Sequence, residues 1–121
     1  MTEAASLLRA RAAAAAAEAK AAEQIVVLDL RGQTLVTDFF VICTATSRVH
    51  LKGVREGVEE AMDQASHRLF GREGNEQAQW VLLDYSDVIV HVLTADTRAF
   101  YKLERMWAKA PQVEVSGGKA G

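Results

Sequence analysis

The chain has 121 residues, 50% of them hydrophobic and 25% charged, with a formal net charge of -2. That length accommodates one core, burying roughly 65% of the unfolded surface; the balance excludes global disorder and lacks the basic field that non-specific nucleic-acid binding needs. The single cysteine, Cys43, excludes an internal disulfide and a cysteine-rich zinc site, and no apolar run is long enough to cross a membrane as a helix.

Residues 10–22 hold ten alanines in thirteen positions. Alanine is the strongest helix former, so a helix is predicted from Ser6 to Glu23. The run differs from an export or import signal: Glu3 lies near the start, no strongly apolar stretch follows the arginines, and Glu18 interrupts it. A cytoplasmic protein is therefore expected. Two β-branched runs follow, IVVLDL (25–30) and FFVICTAT (39–46), each with the length and composition of a buried strand. Ser47 can cap a helix whose apolar positions Leu51, Val54, Val58, Ala61, Met62 and Ala65 keep the helical period. The polar stretch HRLFGREGNEQAQ, with Gly71 and Gly74, is predicted to be a loop.

WVLLDY (80–85) and VIVHVL (88–93) are separated by Ser86-Asp87, the two-residue gap of a hairpin. Asp96 or Thr97 is predicted to cap a last helix with Phe100, Leu103 and Trp107 on one face, stopped by Pro111. The predicted fold is a single α/β domain, a mixed β-sheet with flanking helices in the order α-β-β-α-β-β-α. The domain spans residues 1–111, and residues 112–121, closing on SGGKAG without an apolar anchor, form a flexible tail.

With Tyr85 and Val88 flanking the turn, opposed residues sum to 173, and strand alternation divides the hairpin into two faces. Tyr85, Leu83, Val81, Val88, Val90 and Val92 form an apolar face that belongs in the core. The other face carries Trp80, Leu82, Asp84, Ile89, His91 and Leu93, a mixture suited to the centre of an interface. Cover by the alanine helix is the alternative.

The segments IVVLDLRG, TDFFVICTATS, Glu73-Gly74, QWVLLDYSDVIVHVL and RAFYKLERMWAKAP, in this order over residues 25–111, resemble the ribosomal silencing factor family, also called Iojap-like. The hairpin stretch and the FY-x-LE-x-x-W ending are its specific parts. The chain departs from the family pattern at Ala45 and Ser86, where glycine is usual, and at Arg48-Val49. The resemblance implies a protein that is not an enzyme and takes no cofactor. It also implies binding to the large ribosomal subunit through that subunit's fourteenth protein, which blocks joining of the small subunit and represses translation. It further implies a homodimer when free and a fold similar to the nucleotidyltransferases. Organellar relatives assist large-subunit assembly instead, an alternative role within the same binding mode.

A basic ribosomal partner calls for aromatic anchors among a few acidic groups. The candidate contact residues are Trp80, Leu82, Asp84 and His91 on the mixed face, Tyr85 and Asp87 at the hairpin tip, and Tyr101 and Arg105 on the outer side of the last helix. Each has a structural alternative: half-burial under a helix for Trp80, turn chemistry for Asp84 and Asp87, a hydrogen-bonded core histidine for His91, solvent exposure for Tyr101 and Arg105. Cys43 is expected in the core. Enzyme chemistry is disfavoured, because Asp84 and Asp87 straddle a turn instead of sharing a strand face, and Asp29 and Asp38 belong to no defining motif. Thr44–Ser47, before a helix, could still bind an anion.

Overall fold

The computed structural model describes residues 4–114. The elements run α1 (Ala5–Ala19), β1 (Glu23–Asp29), β2 (Phe39–Ala45), α2 (Arg48–Gln64), β3 (Gly71–Asn75), β4 (Trp80–Asp84), β5 (Val88–Thr94), α3 (Ala95–Tyr101), α4 (Leu103–Met106) and β6 (Gln112–Val113). The strands form one mixed sheet in the order β3-β4-β5-β2-β1-β6. At its centre β2 and β5 run parallel from Phe39 opposite Val88 to Ala45 opposite Thr94, while every other pair is antiparallel. A parallel central pair must be covered on both sides, and every residue of β5 is buried.

One side of the sheet is covered by α1 and α2. The alanine side chains Ala10, Ala13, Ala14 and Ala17 are fully buried there, with Leu51, Val54, Val58 and Met62 of α2, against Val41, Cys43, Val81, Leu83, Val90 and Val92. Methyl groups allow a helix axis to approach closely, so the alanine run serves as packing surface as well as helix former. Ser47 caps α2 as predicted, its hydroxyl accepting from the His50 N–H at 3.0 Å. The hairpin has the predicted register, Trp80 opposite Leu93 through Asp84 opposite Ile89. The alanine helix therefore lies on the apolar face of the hairpin and leaves the mixed face free. That second side packs Leu28, Leu30, Ile42 and Leu93 beneath Leu103 and Ala110, with Phe40, Trp80 and Trp107 partly buried around them.

Four expectations need correction. First, α1 stops at Ala19 instead of reaching Glu23: Lys20 closes it, Ala21 is left-handed (φ 63°), and Glu23 already pairs with Thr44. Second, the predicted 67–79 loop contains β3, an edge strand paired with β4 from Gly71 opposite Asp84 to Asn75 opposite Trp80. Exposure of four of its five residues removes the apolar alternation that would have revealed it. Third, the last helix breaks at Lys102 (φ 50°, ψ 51°), and its cap residue is Thr94. The break turns Leu103 into the second core and leaves Phe100 77% exposed, so the Phe100–Leu103–Trp107 stripe does not form. Fourth, Gln112 and Val113 pair with β1, so ordered structure passes Pro111; residues 115–121 of the expected tail lie outside the described residues.

Gly74 is held in β3 at φ +79°, and a Cβ there would lie 2.0 Å from the Trp80 carbonyl oxygen. Gly74→Ala should cost roughly 2 kcal/mol or more through combined clash and left-handed strain. Urea unfolding at neutral pH checks this, and an unchanged midpoint would contradict the close approach.

Candidate functional site

The free part of the mixed face begins at β4. Successive strand residues alternate between faces, so Trp80 and Leu82 project together, opposite Val81 and Leu83 of the main core. Tyr101, the last residue of α3, lays its ring over Trp80 with centroids 4.8 Å apart and a 50° tilt. With Glu73, Gly74 and Ala78 these residues line an open groove of about 320 Å³. Tyr101 is 52% exposed, whereas Trp80 and Leu82 are half-buried.

The groove has a rigid floor. The Trp80 Nε1–H donates to His91 Nδ1 at 3.1 Å, and Phe40 meets the imidazole edge-on at 4.6 Å. An indole can only donate, so Nδ1 accepts and the His91 proton resides on Nε2. His91 is 3% exposed, and burial pushes its pKa down to about 4, leaving a neutral ring that fixes the Trp80 orientation.

Of the candidate contacts, Trp80, Leu82 and Tyr101 come together in this groove, and His91 sits beneath them. Asp84 shares their strand face at its far end, where its carboxylate accepts from the Ser86 N–H at 2.7 Å. That bond holds Ser86 in its left-handed turn conformation (φ 76°). Tyr85 is 3% exposed in the core on the other face, its phenol pushed up to about 12 by burial and by the nearby charges of Glu59 and Asp63. It does not join the groove, because alternation sends it to the opposite side from Asp84. Asp87 is ion-paired with Arg9 of α1 and so serves to tie the hairpin tip to that helix. Arg105 is exposed but borders a separate cavity beside Gln24, Arg98 and Lys102.

Two contributors were missed. The groove wall formed by Glu73 and Ala78 lies in the stretch predicted as a loop, although Glu73-Gly74 belonged to the quoted resemblance. Arg98 opens the quoted RAFYKLERMWAKAP segment yet is absent from the candidate contacts, and it is the one residue that α3 buries. Cys43 occupies the core as expected, and burial pushes its thiol up to about 12. Three of the four carboxylates weighed for catalysis have separate partners: Asp29 pairs with Arg31 at 2.7 Å, which holds its pKa below the usual range, Asp87 pairs with Arg9, and Asp84 accepts from the Ser86 N–H. Among the described residues no three histidine, cysteine or carboxylate side chains cluster to hold a metal, and no helix is long and apolar enough to cross a membrane.

The fold and groove define a small α/β domain with a mixed six-stranded sheet and one partly uncovered aromatic face. Residues 3–120 match the family model described as ribosomal silencing factor during starvation. The chain is 40% identical over 102 residues to the ribosomal silencing factor RsfS of Halalkalibacterium halodurans, covering 84% of this chain and 87% of that protein. It is 38% identical over 106 residues to RsfS of Bacillus subtilis, covering 88% and 90%. The chloroplastic protein Iojap of Zea mays is 32% identical over 103 residues, covering 85% of this chain and 44% of that one. Two crystal structures superpose closely. One, from Bacillus halodurans, has a TM-score of 0.75 at 39% identity, covering 89% of this chain and 96% of that one. The other, from Chromobacterium violaceum, has a TM-score of 0.82 at 28% identity, covering 93% and 95%. The chain belongs to the ribosomal silencing factor family.

Burial of neutral His91 makes stability depend on pH. Its folded pKa is lowered from 6.5 to about 4, so the unfolded chain binds the additional proton between those values. The contribution is complete above pH 6.5 and is lost as the pH falls toward 4, at up to ~1.4 kcal/mol per pH unit. Urea unfolding of the parent and of His91→Gln across this interval should show a shallower slope in the variant. Equal slopes would place the titration elsewhere.

Proposed function

We propose that this chain is a cytoplasmic ribosomal silencing factor. In this reading it docks on the large subunit through that subunit's fourteenth protein, blocks joining of the small subunit and so represses translation, acting by occupancy without catalysis. The observation that carries the reading is the Trp80–Leu82–Tyr101 groove, on a chain whose relatives are named ribosomal silencing factors. Its chemistry suits such a partner. Aromatic side chains preset on a rigid floor give contact area at small entropic cost, and they dominate binding energy where they are found. Glu73 on the groove wall and Asp84 on the same strand face supply negative charge toward a basic ribosomal protein, in a chain of net charge -2 that phosphate attraction would not draw to RNA. The reading includes a homodimer of the free protein, supported by the exposed apolar side chains of Phe100, Tyr101 and Met106 on the C-terminal helices.

Tyr101 is the discriminating position. Trp80 is half-buried and hydrogen-bonded to His91, so its removal disturbs the fold, whereas Tyr101 is half-exposed. Tyr101→Ala should weaken co-sedimentation with large subunits at moderate salt by about tenfold or more, the scale of losing one interface anchor. Light scattering should show restored subunit joining, with a thermal midpoint close to that of the parent. A folded variant that still blocks joining would move the docking surface away from the groove.

A further inference from the structure

We propose that Arg98 is the positioning residue of the docking face, its guanidinium spanning the left-handed break at Lys102 and thereby setting Tyr101 against Trp80. The proposal rests on the reading of the groove as the ribosome contact.

Helix α3 has seven residues, too few to be stable alone, and the only one it buries is Arg98, at 7% exposure. No apolar residue of this helix is buried, and its aromatic contact with the sheet is the half-exposed Tyr101 ring on Trp80. Arg98 ties the helix to the sheet with two hydrogen bonds and to α4 with two more. Its Nη1 donates to the Gln24 carbonyl of β1 at 2.7 Å and to the Thr44 hydroxyl of β2 at 2.8 Å. Its Nε and Nη2 donate to the two carboxylate oxygens of Glu104 in α4 at 3.0 and 2.7 Å. The Gln24 carbonyl is available because β1 is irregular there: the pairing register shifts between Glu23 and Val26, and Gln24 is left-handed (φ 48°).

Tyr101 lies between the two anchored points, three residues after Arg98 and three before Glu104. The intervening Lys102 closes α3 by donating its N–H to the Arg98 carbonyl at 2.9 Å. A planar guanidinium gripping a carboxylate through two parallel bonds fixes direction as well as distance, so the chain can leave α3 at only one angle. That angle places the Tyr101 ring 4.8 Å from Trp80. The Arg98 hydrogen bonds hold the Glu104 carboxyl below the usual range, in keeping with a formed pair across the break.

The test uses the full chain in a Trp107→Phe background, so that Trp80 is the sole tryptophan. Arg98→Lys keeps the charge and removes the fork. Glu104→Gln weakens only the span across Lys102, leaving the bonds to Gln24 and Thr44. Acrylamide quenching should show Trp80 as accessible in both variants as in Tyr101→Ala. Large-subunit co-sedimentation should weaken about tenfold, and adding Tyr101→Ala to either variant should cause no further loss. Unchanged quenching in a cooperatively melting variant, or losses that add, would overturn the proposal. Should Arg98→Lys fail to fold, Glu104→Gln decides by the same criteria. Should Tyr101→Ala alone leave subunit binding intact, the docking reading fails, and quenching still decides whether Arg98 sets the position of Tyr101.

Discussion

The parallel pairing of β2 with β5 is the constraint from which the rest of the structure follows. Parallel strands need a crossover between them, and the crossover supplies α2, β3 and β4. Both strands are hydrophobic on both faces, so a single helical layer is not enough. The alanine helix and α2 take one face; the segment after β5 must return across the other. This return brings Leu103, Trp107 and Ala110 over Leu28, Leu30 and Ile42, and ends by pairing Gln112–Val113 with β1. The second face of the sheet is thus covered over β1 and β2 by the chain's own C-terminal segment and left partly uncovered over β4 and β3.

That asymmetry produces the groove. The C-terminal cover is short and broken, and it spans the second face from β1 only as far as Trp80. Beyond that point Leu82 and the β3 edge remain partly uncovered, with Tyr101 at the boundary between buried and open surface. His91 beneath Trp80 adds a polar contact to an otherwise apolar layer. A hydrogen-bonded imidazole determines one ring orientation where a purely aliphatic floor would allow several. The same economy holds at Arg98, where one buried guanidinium performs the docking that a longer helix would achieve by apolar burial. On this side specific polar bonds supplement a small apolar cluster, while the close-packed alanine helix and α2 cover the other.

The central strands, α2 with its Ser47 cap and the hairpin register were all legible in the residues, because each writes a local pattern: β-branched runs, a helical apolar period, a two-residue turn with matched alternation. The resemblance carried by the hairpin and the FY-x-LE-x-x-W segment led to the family that the comparisons establish. Strand β3 was not legible, since an edge strand with solvent on four of its five residues has no apolar period to display. The break at Lys102 was hidden for the opposite reason. Phe100, Leu103 and Trp107 have flawless helical spacing, but a second core and the Arg98–Glu104 bond together outweigh the gain from continuing the helix.

Local pattern by itself determined β1, β2, β4, β5, α2 and the body of α1, which face of the hairpin would be core, and that Trp80, Leu82 and Tyr101 were contact candidates. Only the tertiary structure decided which face the alanine helix would cover, since a run of near-identical small side chains packs equally well on any apolar surface of suitable shape. It also separated Tyr85 from Trp80, sent Arg105 to another cavity and recruited Glu73, Gly74 and Ala78 to the groove. Those outcomes depend on contacts between segments far apart in the chain, as when Arg98 reaches Gln24 and Thr44. A local period records which way a side chain faces along its own element, and it carries no record of what that element will meet.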